Sequence, residues 1–132
     1  MIITELLDII KINDDGTLLN NLYDEFRDGR NPNDILILLN SDDGMIGFGC
    51  DISCEIKIKD AGVQRTIMDR LEEILAHNKD SYNRQRAFDA LYGFYMDNDD
   101  TKGLLLLCEK LINDDIDEIK SFALEFIDKN KR

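Results

Sequence analysis

The chain has 132 residues, 43% of them hydrophobic and 33% charged, a balance that fits one globular domain with its own core and excludes a disordered chain. Twenty-eight acidic side chains against 16 basic ones give a formal net charge of -12, which disfavours nucleic acid and anionic membrane as ligands and favours a cationic partner. Cys50, Cys54 and Cys108 have no paired spacing, the start Met1-Ile2-Ile3-Thr4-Glu5 lacks the pattern of a signal peptide, and no apolar run reaches membrane-spanning length. The expectation is a cytoplasmic protein with reduced thiols, monomeric when free.

Apolar residues recur at spacings of three and four along almost the whole chain, so helix is the consistent reading. The one short alternating piece is Ile56-Lys57-Ile58-Lys59. A first helix pair is expected within residues 1–30, one helix over about 2–12 and the next over about 17–28, separated by Asn13-Asp14-Asp15-Gly16. The turn Asp28-Gly29-Arg30 and the sole proline, Pro32, then mark a new helix start. Three hairpins follow, over residues 32–57, 62–96 and 102–129. Their internal turns are Asn40-Ser41-Asp42-Asp43, His77-Asn78-Lys79-Asp80-Ser81 and Asn113-Asp114-Asp115, rich in residues that cap helices. The longer gaps are expected between hairpins, at Lys59-Asp60-Ala61-Gly62 and Asp97-Asn98-Asp99-Asp100. The whole of 1–132 reads as a single helical-repeat domain.

Aligning the second helices of the hairpins brings the small residues Gly49, Ala87 and Ala123 into register, with Ile52, Ala90 and Phe126 one turn on and Ile56 beside Phe94. On these residues the chain resembles the HEAT-like family of helical repeats. The resemblance covers about residues 32–129 and implies an all-α, right-handed α-solenoid of about four antiparallel helix pairs; the alternative is an irregular helical bundle. The family's basic residue early in the second helix is matched by Arg84 and Lys120, whereas the first hairpin has Ile46 or Gly47 there.

With Ala87 at the centre of a buried face, Phe88, Leu91, Phe94 and Tyr95 point inward, while Gln85, Asp89, Tyr92, Gly93 and Met96 point away. The same projection turns Asp51 and Glu55 outward in one hairpin, and Ser121, Glu125 and Asp128 outward in the last. Repeat register places Asp51, Asp89 and Glu125 as an acidic ladder on second helices about 10 Å apart. In solenoids such helices line the concave surface where extended partners dock. The candidate partner-binding residues are therefore Asp51, Glu55, Asp89, Tyr92, Met96, Ser121, Glu125 and Asp128, with Tyr92 and Met96 as apolar anchors.

Chemistry is sparse by comparison. His77 is the sole histidine and falls in a turn, leaving no second imidazole for a metal cluster or an acid/base pair. Cys50, Cys54, Cys108 and His77 lack the close-paired spacings of a zinc site. The Asp-rich turns depart from calcium loops at the bidentate Glu position, and Gly47 and Gly49 lack the strand that a phosphate-binding loop requires. No catalytic residue, metal ligand or cofactor is expected. The run Phe26-Arg27-Asp28-Gly29-Arg30-Asn31-Pro32, with Ile35 to Asp43, resembles the opening of small bacterial HEAT-like proteins, among them immunity proteins of contact-dependent growth inhibition and polymorphic toxin systems. That resemblance implies stoichiometric inhibition of a cognate toxin, a nuclease with a basic cleft being the best fit to an acidic surface. The alternative is a general protein–protein adaptor or scaffold.

Overall fold

The computed structural model describes residues 2–13 and 16–131. Asp14 and Asp15, at the centre of the first expected turn, lie outside the described residues. Among those described the chain is all-α, with eight helices and no strand: α1 (Ile3–Asn13), α2 (Gly16–Arg27), α3 (Asn33–Leu39), α4 (Asp43–Glu55), α5 (Ala61–His77), α6 (Ser81–Asp97), α7 (Thr101–Glu109) and α8 (Asp117–Lys129). Among the described residues no helix is long and apolar enough to cross a membrane.

The Asp-rich turns start helices because each puts a carboxylate beside unpaired backbone N–H groups. Asp42 accepts from Met45 N–H, Asp60 from Val63 N–H, Asp80 from those of Tyr82 and Asn83, and Asp100 from Gly103 N–H. A cap of this kind contributes about 1 kcal/mol. Before α3 the arrangement differs: Pro32 stands at the cap position and the Asn31 side chain accepts from Asn33 N–H. Gly29, at φ 117°, ends α2 in the left-handed region, and Arg30 N–H closes back onto Glu25 O at 2.8 Å.

Consecutive helices pack as pairs: α1 on α2, α3 on α4, α5 on α6 and α7 on α8. Across pairs, α1 meets α3 and α3 meets α5, while α2 meets α4 and α4 meets α6, so the first three pairs lie as two layers of helices. The core runs through both, from Leu7, Leu22 and Phe26 to Leu38, Ile52, Leu71, Leu91 and Ile119. The register residues Gly49, Ala87 and Ala123 are all buried. Smallness matters most at Gly49, where a Cβ would come within 2.9 Å of Leu39 Cδ2 and 3.0 Å of Leu38 Cβ, so its hydrogen sets the approach of α3 to α4.

The alternating piece after α4, which could as easily have ended a helix, forms no strand; it is an irregular connector anchored by the buried side chain of Ile58. The expectation that the longer gaps fall between hairpins fails at the last pair, where the connection from Lys110 to Ile116, inside the hairpin, is the longest among the described residues. Its extra length lets Asp114 and Asp115 reach back to Arg84 on α6. Arg84 donates to Leu75 O at 2.6 Å, to Asp115 at 2.7 Å and to Asp114, tying the end of α5, the start of α6 and the α7–α8 loop together. Its guanidinium holds the Asp115 carboxyl below the usual carboxylate range, chiefly by that hydrogen bond.

Candidate partner-binding face

The face is built where α4 and α6 touch. Gly47 is buried in α4, and a Cβ there would lie 2.8 Å from Arg86 Nη1 and 3.0 Å from Asn83 Oδ1. The missing side chain thus makes room for two polar groups from α6. Asn83, buried, donates to Asp43 O at 3.0 Å and pins the start of α6 to the start of α4. Arg86 extends past Gly47 to Asp51 at 3.2 Å and lies 3.9 Å over the ring of Tyr82. The first hairpin carries no basic residue of its own at the register position of Arg84. One residue on from that position, Gly47 admits a cation from the next pair.

Asp51 and Glu55 stand one turn apart on α4, with Cys54 between them, and Asp89 approaches from α6. Partial burial raises the Asp51 carboxyl above its ordinary range; Arg86 opposes the shift, and Glu55 and Asp89 add to it. Burial, with help from Asp89, Asp51 and Glu55, pushes the Cys54 thiol up to about 11, and burial pushes that of Cys50 up to about 12. Neither sulfur is an activated nucleophile at neutral pH. Asp89 is held by Gln85 Nε2 at 3.1 Å. Glu55 accepts from Tyr23 on α2 at 2.5 Å, and this hydrogen bond is the main cause of a raised Tyr23 phenol. Tyr23 and Arg86 belong to the face, and neither follows from repeat register. A signal for Arg86 was present, since it lies one turn from Asp89 and from Tyr82 on the same helix.

The other expected residues lie on α6 and α8. Tyr92 and Met96 are 37% and 51% exposed on α6, but Tyr92 is not free of neighbours: its ring meets Phe122 of α8 edge-on at 5.3 Å. Phe122 also meets Phe88 at 5.3 Å and stacks on Phe126 at 5.8 Å. Ser121, Glu125 and Asp128 are exposed on α8. The charges acting on Asp51 come from Arg86, Glu55 and Asp89. Asp51 and Asp89, two rungs of the expected ladder, thus stand close enough to act on one another, and the third, Glu125, lies on α8. Among the described residues no three His, Cys, Asp or Glu side chains are grouped to hold a metal ion. Comparison with protein-family models, with curated proteins and with solved structures gives no match.

Proposed function

We propose that the chain is a HEAT-like immunity protein of the bacterial cytoplasm that neutralises a cognate toxin, a nuclease, by stoichiometric binding through the α4–α6 face. The observation that carries this reading is the convergence of Asp51, Glu55 and Asp89 on two adjoining helices, with Arg86 paired to Asp51, in a chain of net charge -12. A cleft that binds phosphates is lined with cations, and a preformed carboxylate surface can occupy it without the cost of ordering a flexible segment. Partial burial of Asp51 adds to this, because a desolvated carboxylate gains more from an incoming Arg or Lys than one fully in water. Tyr92 and Met96 supply apolar contact at the edge of the charged surface.

Joint replacement Asp51→Lys and Asp89→Lys tests the face, with affinity for the partner recovered from the native cell read by calorimetry and folding by circular dichroism. The expected result is loss of binding by two orders of magnitude or more with helicity retained. Binding in the unaltered protein should weaken steeply as salt rises. Unchanged affinity in the double variant would rule this face out. Capture of a broad set of endogenous proteins, with no toxin among them, would favour the adaptor reading.

A further inference from the structure

One glycine stands where the chain's own packing does not call for it. At Gly47, Gly49 and Gly103 a neighbouring side chain occupies the place a Cβ would take, whereas at Gly93 a Cβ would meet nothing within 4 Å. Gly93 lies inside α6, and its backbone is not in the left-handed region that would require a glycine. Glycine in a helix interior lowers stability relative to alanine, and local rules are broken in this way chiefly where a site needs the space. The space here is a recess of about 160 Å³ between the ends of α4 and α6 and the connector from Ile56 to Lys59. Small-molecule pockets begin at roughly 300 Å³, so the recess suits one side chain. It continues the α4–α6 face: Cys54 lines it, and Gly93 follows Asp89 by one turn of α6.

The polar groups around the recess divide into two sets. Ser53 donates to Gly49 O at 2.8 Å, Asn98 Nδ2 to Gln64 Oε1 at 2.8 Å, and Gln64 Nε2 to Ile58 O at 3.3 Å, so these donors are used within the chain. Lys57 and Lys59 also line the recess, and their ammonium groups have no ion pair or hydrogen bond among the described residues. Asp97 is the one carboxylate in the lining against these two cations. Charge along the face thus changes sign, from Asp51, Glu55 and Asp89 to Lys57 and Lys59. Such a change fixes the orientation of a bound surface, because the reversed pose sets like charges together. We propose that the recess beside Gly93 receives one carboxylate side chain of the protein that binds the α4–α6 face, its oxygens meeting Lys57 and Lys59. The source of that carboxylate rests on the reading of the face given above; the affinity of the recess for a carboxylate does not.

The probe is N-acetylglutamate methylamide, titrated into the isotope-labelled full chain at physiological salt and followed by backbone amide shifts, with N-acetylglutamine methylamide as its uncharged counterpart. Saturable shifts are expected at Gly93 and Lys57 to Lys59, and none comparable from the glutamine compound. Gly93→Leu, which fills the recess, and the joint change Lys57→Gln with Lys59→Gln, which leaves it open, should each weaken probe binding tenfold or more. Lys120→Gln on α8 should change it less than twofold. Gly93→Ala should raise the urea midpoint; a lowered midpoint would give the glycine a structural role and overturn the proposal. So would equal binding of the two compounds, shifts elsewhere only, or a lysine pair whose loss has no effect. The Asp51→Lys, Asp89→Lys protein should bind the probe at least as tightly as the unaltered one, so failure of the face and failure of the recess show in different measurements. Gly93→Leu should also weaken binding of the partner recovered from the native cell tenfold or more, and unchanged affinity there would overturn the assignment of the carboxylate to that partner.

Discussion

The joint between the second and third helix pairs and the joint between the third and fourth are made from the same register of sequence but held in different ways. At the first, α3 packs on α5 and α4 on α6; Gly47 lets the side chains of Asn83 and Arg86 into the contact, so the two pairs are joined in both layers. At the second, α8 reaches α6 through the ring of Phe122, and the α7–α8 loop is held by the Arg84 clasp. Close packing distributes stability over many small contacts, whereas a clasp concentrates it in one side chain.

The strongest way to break this comparison is Arg84→Ala. Arg84 is 13% and Asp114 7% exposed, so the variant leaves a nearly buried carboxylate without its cation and Leu75 O without that donor. The expected cost is about 3 kcal/mol by urea denaturation, with amide exchange rising first in α7 and α8. Uniform acceleration across all helices would mean that the fourth pair is not held separately. Gly49→Ala comes next. Its Cβ meets Leu38 and Leu39 at 2.9–3.0 Å, and overpacking of this kind costs about 2 kcal/mol. Here exchange should rise in α3 and α4 while the fourth pair is spared.

The smallest effect sharpens the face itself. The folded-state pKa of Asp51 is raised, so the native state holds its proton more tightly than the unfolded chain does. The associated stability is present below the unfolded carboxylate pKa and is lost as pH rises through the folded one. Asp51→Asn should therefore stabilise the protein at neutral pH, by no more than about 0.5 kcal/mol, and the gain should fade as pH is lowered through the carboxylate range. A gain that grows on acidification would contradict the burial and repulsion assigned to this carboxylate.

Helix type, most helix boundaries and the buried faces were legible from residue order alone. Apolar spacing over one or two turns reports which side of a helix is inside, and Asp before a helix satisfies the same N–H groups wherever that helix ends up. The inward placement of Phe88, Leu91, Phe94 and Tyr95 follows from spacing about Ala87 and matches their burial. Handedness is a different matter, and the solenoid remains part of the proposed reading. The candidate face was legible in part. Register pointed to Asp51, Glu55 and Asp89, but the cation among them, Arg86, depends on a glycine in the neighbouring helix, a relation between residues 47 and 86 that no local period carries. Tyr23 joins the face from α2 for the same reason.

What the sequence by itself determined is therefore the local layer: eight stretches of amphipathic helix, their caps, and a strongly acidic surface. Only the tertiary structure decided which carboxylates stand together, that the Tyr92 and Phe122 rings meet edge to face, and that the α7–α8 loop folds back onto Arg84. Local structure follows from periodicity and backbone hydrogen bonding within a few residues. Joints between helix pairs follow from the sizes and charges of side chains far apart in the chain, which compete for the same space only after folding has brought them together.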